Sequence, residues 1–224
     1  MPRQPVPPPV PTTALSGRRA QAARNDVAIL EAARDVLLAD PGAPVSAVAT
    51  AAGVGISALY RRYGNKEGLL RRLCHDGLRR YLAEAEAALA DPDGWRALTG
   101  FLARVVEADV HSLTVRFAGT FTPTPEMRED ARRSGAVAAE LVARAHGSGR
   151  LRPDAGTSDI ALVLESCAAV RGADPARTAQ LRSRCLALLT AGLASREPAE
   201  LPGPPPAPDE FIRRWRDTPG SHGA

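Results

Sequence analysis

The stretch Pro44 to Lys66, PVSAVATAAGVGISALYRRYGNK, decides how the rest of the chain is read. It predicts two short helices, a tight turn between them, and a basic, aromatic exit. The first helix runs from Pro44 or Val45 to about Ala52. Proline fits the first helical turn, where its missing N–H has no intrahelical partner to lose. Ala47 to Ala52 is rich in strong helix formers of small volume. Gly53 supplies the left-handed residue that ends a helix, and Val54 follows as its apolar cover. A second helix starts near Gly55 and carries Ser57, Ala58, Leu59, Tyr60, Arg61, Arg62 and Tyr63. Val48, Val54 and Leu59 are the expected shared core, with Ala49 and Gly53 allowing close approach. Two short helices joined this way form a helix-turn-helix, whose second helix enters a major groove while the first braces it.

The same residues carry a family resemblance. Val48-Ala49, Ala52-Gly53-Val54, Leu59-Tyr60, Tyr63, Lys66-Glu67 and Leu69-Leu70 fall in gap-free register with the helix-turn-helix of the TetR family of transcriptional regulators, which this chain resembles. Gly55 stands where a serine usually caps the recognition helix, Ala58 where a threonine is usual, and Pro44 where threonine often opens the first helix. Glycine is accepted at an N-cap but brings no side-chain acceptor. The resemblance implies a DNA interface of Val45, Ser46, Ile56, Ser57, Ala58, Tyr60, Arg61, Arg62 and Lys66. In that reading Tyr60, Arg62 and Lys66 hold phosphates, Ser46 and Arg61 join them, and Ile56, Ser57 and Ala58 meet base edges.

Composition sets the fold class independently. Hydrophobic residues make up 44% of the 224 and aromatics only 4%, so the core is aliphatic and dominated by helix-favouring Ala and Leu. An all-α fold is expected. No apolar run reaches the length of a membrane span and no apolar signal core opens the chain, so a cytoplasmic protein without membrane attachment is expected. Cys74, Cys167 and Cys185 have neither zinc nor disulfide spacing and are read as buried small hydrophobes.

The net charge of +4 is unevenly spread. Residues 1–82 hold 12 Lys+Arg against 6 Asp+Glu, an excess of +6, while the remaining 17 against 19 give −2. The basic excess sits with the helix-turn-helix, as phosphate binding requires. Lys66 is the one lysine in the chain, at a position the resemblance assigns to phosphate.

In chain order, residues 1–19 read as a disordered, proline-rich leader, whose Arg3, Arg18 and Arg19, with Arg24 just beyond, are near enough to graze phosphates. A three-helix DNA-binding domain is expected over 20–82, with the helix-turn-helix at 44–63. Its first helix spans Ala20 to Ala39, with Val27, Leu30, Ala33 or Arg34, Leu37 and Leu38 on one stripe, and stops at Asp40-Pro41-Gly42. A linking helix runs from near Asn65 to about Leu89. A larger helical domain is expected over 83–196, with helices at Trp95–Asp109, Ser112–Phe121, Pro125–His146, Thr157–Val170 and Pro175–Ser195. Thr124-Pro125 and Asp174-Pro175 each read as cap and first helical residue. A proline-rich tail fills 197–224, in which Phe211, Ile212 and Trp215 would share one face of a short turn.

No phosphate loop, nucleophile elbow or HExxH motif appears, and His75, His111, His146 and His222 lack metal-ligand spacing. Binding rather than catalysis is expected, with no metal and no cofactor. The resemblance implies a small-molecule effector held in an apolar cavity of the second domain, a homodimer built through the last two long helices, and a palindromic double-stranded operator. Candidate effector contacts are Trp95, Phe101, His111, Phe117, Phe121, Glu165 and Cys167, with Arg116 and Arg171 available to an anionic effector. Scarce aromatics favour an aliphatic or mixed ligand over a flat aromatic one. The family usually represses and releases DNA on effector binding. Activation, and a ligand-binding module that keeps the helix-turn-helix only as scaffold, stay open at this level.

Overall fold

Proline ends where regular structure begins. In the computed structural model, residues 12–117, 119–194, 201–207 and 210 are described, with side chains from 25 onward apart from 115. Helix α1 spans Thr12–Ala39, earlier than the Ala20 start expected from the leader assigned to 1–19. Beyond Pro11 no proline interrupts the run to Ala39, and Ala14, Leu15, Arg18 and Arg19 are good helix formers. Residues 1–11 of the leader, Arg3 among them, lie outside the described residues. So does most of the tail, including Phe211, Ile212, Trp215 and His222.

The described residues are all-α, with no strand. After α1 come α2 (Val45–Ala51), α3 (Ile56–Tyr63), α4 (Lys66–Ala88), α5 (Gly94–Glu107), α6 (Val110–Phe117), α7 (Pro125–Gly147), α8 (Thr157–Ala169) and α9 (Pro175–Leu193). Helix α6 lies earlier than the expected Ser112–Phe121. Asp109 takes a positive φ of 49° just before it, and Gly119 takes 79° after it, so backbone breaks rather than side-chain pattern set its ends. The two Pro-linked caps form as expected. Thr124 Oγ1 accepts from the Met127 N–H at 3.1 Å and Asp174 Oδ1 from the Arg177 N–H at 2.8 Å.

Two compact units divide between Lys66 and Glu67. In the first, Ile29, Ala33 and Leu37 of α1 are buried, as are Val45, Val48 and Ala49 of α2 and Leu59 of α3. The α1 stripe repeats every four residues. Val27, expected on it, lies about 200° round the helix from Ile29 and is 56% exposed.

The second unit is built on α5. Its Trp95, Leu98, Phe101, Leu102 and Val105 are buried among Ala85 and Ala88 of α4, Leu141 and Ala145 of α7, Ile160 and Leu164 of α8, and Leu186 of α9. The Phe101 ring meets Tyr81 edge-on, with centroids 5.1 Å apart, the arrangement that ring quadrupoles favour. At Gly94 the chain comes so close to α7 that an added Cβ would lie 2.1 Å from the Arg144 carbonyl oxygen. Arg144 reaches back from α7 and donates to the Leu89 and Asp91 carbonyls, tying α7 to the turn that follows α4. The three cysteines are free, and burial pushes the Cys74 and Cys167 thiols up to about 12. Among the described residues no helix is long and apolar enough to cross a membrane, and no group of three metal-ligating side chains gathers.

Candidate nucleic-acid interface and ligand cavity

Helix α2 ends as its glycine predicts. Gly53 sits at φ +65°, and the Val54 N–H donates to the Ala49 carbonyl at 3.0 Å, closing the helix with a left-handed turn. A Cβ at Gly53 would meet nothing within 4 Å. The glycine is therefore needed for its backbone angle, not for close packing as its spacing suggested. Gly55 then caps α3 at an ordinary φ of −67°, with no side-chain hydrogen bond. Gly64 ends α3 at φ +77°.

These turns divide α3 into an inner and an outer face. Leu59 is fully buried, and Tyr63 is half-buried on the same side. The outer face carries Ile56 (41% exposed), Ser57, Tyr60 (46% exposed) and Arg61. Residues spaced i, i+1, i+4 and i+5 fall together on one side of a helix, so these four form one surface. Ala58 lies half-buried at its edge, and Ser46 and Thr50 are exposed on α2. Thr50 Oγ1 donates back to the Ser46 carbonyl at 3.0 Å.

Three residues assigned to DNA take other positions. Val45 is 7% exposed; an apolar first-turn side chain on this side of α2 faces the core, leaving only its backbone near the surface. Arg62 turns toward α1. Its Nε and Nη2 donate to the two carboxylate oxygens of Asp26 at 3.0 and 2.9 Å, and the Tyr63 hydroxyl donates to the same carboxylate. That fork geometry suits a planar guanidinium and raises the Arg62 pKa through its bond and charge contact with Asp26. The guanidinium side chain remains 54% exposed, so it is tied without being withdrawn from solvent. Lys66 Nζ donates to the Pro41 and Ala43 carbonyls at 3.1 and 2.7 Å, pinning the turn before α2. An ammonium has three donors, and these two carbonyls take two of them. Sequence reasoning passed over Asp26, whose signal was an acidic residue in a strongly basic segment.

The effector candidates scatter in the second unit. Trp95, Phe101 and Cys167 belong to the packed core, and the Arg150 guanidinium lies over the Trp95 ring at 5.5 Å. Phe117 and Phe121 are buried. His111 and Glu165 do come together, with Nε2 and Oε1 3.5 Å apart between α6 and α8. Arg171 donates to the Ala168 and Val170 carbonyls, and buried Arg182 donates to the same two. Both guanidiniums thus satisfy carbonyls at the C-terminal end of α8.

A cavity of about 890 Å³ opens elsewhere, between α4 and α7. Cys74 and Leu78 of α4 line one side and Met127, Ala131 and Gly135 of α7 the other. Thr114 of α6 and the Thr122-Pro123 loop complete it, with Arg128, Glu129 and Arg132 also in its lining. None of the seven candidate effector contacts lines this cavity. Beside it, polar side chains bridge the two helices: His75 Nε2 lies 2.8 Å from Asp130 Oδ2, and Arg79 pairs with both Glu126 and Asp130. The His75 and Arg79 bonds hold the Asp130 carboxyl below its usual range.

The family model described as "Bacterial regulatory proteins, tetR family" matches residues 29–73, from within α1 into α4. A TetR transcription regulatory protein from Mycobacterium vanbaalenii superposes with a TM-score of 0.54 at 27% identity, over 79% of this chain and 99% of that one. Residues 29–73 therefore form a TetR-type helix-turn-helix domain, and the chain is a DNA-binding regulator similar to TetR-family proteins along most of its length. LfrR from Mycobacterium smegmatis, solved in complex with proflavine, is similar at 25% identity and a TM-score of 0.55, covering 80% of this chain and 99% of that chain. PfmR from Thermus thermophilus shares the fold, with a TM-score of 0.57 at 23% identity over 75% and 99% of the two chains. No curated protein sequence matches this chain.

Proposed function

We propose that the chain is a homodimeric repressor that reads a palindromic operator and leaves it when a small molecule binds the second unit. The observation that carries this reading is the outer face of α3. Ile56 and Ser57 stand exposed at the start of the helix, where a recognition helix meets base edges, and Tyr60 and Arg61 stand one turn later, where phosphate oxygens run. Ser46 and Thr50 of α2 add hydroxyls on the bracing helix. Arg62 and Lys66 serve the interface from behind: one fixes α3 on α1, and the other fixes the turn that aims α2.

A single helix-turn-helix covers only half a site, so a two-fold partner completes the recognition. Helices α8 and α9 supply a suitable face. Leu162 of α8 is 45% exposed and Leu188 of α9 is 67% exposed, and small exposed Ala187 and Ala191 lie on the same side of α9 as Leu188. Helix α4 starts at the last residue of the first unit and runs on into the second, forming one wall of the cavity. A ligand there acts by favouring the α4 position that does not fit the operator, which requires tighter binding to the DNA-free state.

Selection of duplexes from random DNA by the purified full chain tests this reading. The expected result is one palindrome, bound by a dimer with a strong salt dependence. Failure to enrich any duplex at low salt, in the absence of added ligand, overturns it.

A further inference from the structure

The cavity between α4 and α7 has a composition that specifies a ligand class. Cys74, Leu78, Pro123, Met127 and Ala131 face it with hydrocarbon and sulfur. Among the described residues, no aromatic side chain lines it. A planar aromatic ligand finds nothing there to stack on, whereas a flexible aliphatic chain buries methylenes against every wall. The volume of about 890 Å³ lies in the range that holds ligands of drug size.

Charge decides the other end. Arg128, Glu129 and Arg132 lie in the lining, two positive groups against one negative. Arg128 Nη1 donates to the Pro123 carbonyl at 2.6 Å, which fixes its guanidinium against the loop. Arg132 pairs with Glu129 on the open surface of α7, with side chains 75% and 61% exposed. Exposed pairs of this kind contribute little and exchange readily, so Arg132 can turn to a ligand carboxylate in the bidentate geometry guanidinium favours. Gly135 on the same helix leaves room, since a Cβ there would meet nothing within 4 Å.

We propose that this cavity, rather than the aromatic cluster around α5, takes a linear aliphatic carboxylate. Its chain lies against Leu78, Met127 and Ala131, and its carboxylate is held by Arg132. The assignment rests on the effector-released reading above and names the class of effector. Occupation of the gap loads the His75–Asp130 and Arg79–Glu126 bridges that tie α4 to α7, which is how the ligand reaches α4.

Calorimetric titration of the full-length protein with decanoate, decanol, decylamine and 2-naphthoate tests this. Operator binding by the ligand-free protein is measured in parallel. Decanoate is expected to saturate one site per chain, with the other three at least tenfold weaker. Arg132→Gln is expected to weaken decanoate about tenfold and leave decanol unchanged. Gly135→Leu fills the cavity without a backbone clash and is expected to abolish decanoate binding while operator binding persists. Tighter binding of 2-naphthoate or decylamine, no decanoate binding, or unchanged decanoate binding by Gly135→Leu overturns the proposal. If the operator is still bound in those cases, the ligand class alone fails. If the operator is not bound by the unliganded protein, the repressor reading fails instead.

Discussion

The α2–α3 segment and the α4–α7 cavity are built by different rules. The ends of helices α2 and α3 are set by features close in sequence, a glycine at φ +65° and a capping glycine, with Val48, Ala49 and Leu59 buried on either side of the turn. The cavity is assembled from Cys74, Thr114, Met127 and Gly135, which meet only after three helices have packed. Short-range geometry makes the DNA-reading segment rigid and recognisable. Long-range assembly sets the cavity, so its lining depends on how α4, α6 and α7 pack rather than on any local motif.

Substitutions sharpen this contrast in order of their size. Phe101→Ala removes a fully buried ring from the α5 core and is expected to cost about 3–5 kcal/mol in denaturant unfolding of the second unit. Phe101 was a candidate ligand contact by sequence; loss of ligand binding at unchanged stability would put it back in a binding role and blur the distinction drawn between core and cavity. Gly53→Ala meets no steric obstacle but must hold a left-handed backbone. Thermal unfolding is expected to show a loss of about 1 kcal/mol. A loss several times larger would mean that the turn also needs close packing there. Gly55→Ser restores the side-chain acceptor that α3 lacks and should raise stability by a few tenths of a kcal/mol, read as a small upward shift in melting temperature. A fall would show that the cap position is already strained.

The legibility of the chain follows the same division. The all-α class came from an Ala- and Leu-rich, aromatic-poor composition, and the helix-turn-helix from its local spacing. The Thr124 and Asp174 caps were equally legible because a cap acts on the residue three positions ahead. The start of α1 was misplaced because proline density in 1–11 was extended to 12–19, where no proline stands. The direction of Arg62 was not legible, since it depends on Asp26 arriving from α1. Lys66 stands out in the sequence as the one lysine, but its two carbonyl partners in the turn after Asp40 could be seen only in three dimensions. The effector candidates were chosen for being aromatic or polar among apolar residues. Three of them, Trp95, Phe101 and Cys167, lie in the core around α5, and none lines the cavity between α4 and α7.

In the proposed reading, α3 meets DNA with its outer face, and Arg62 holds α3 on α1 through Asp26. The direct measurement is the salt dependence of operator affinity for Arg61→Ala and Arg62→Ala, alongside the melting temperature of each. Arg61→Ala is expected to lose about tenfold in affinity and to lower the salt slope by about 1, with melting unchanged. Arg62→Ala is expected to lower the melting temperature, by about 1 kcal/mol of stability for a half-exposed charge-assisted pair, and to keep the salt slope of the unsubstituted protein. The reverse pattern, with the slope falling for Arg62→Ala and not for Arg61→Ala, would contradict the account.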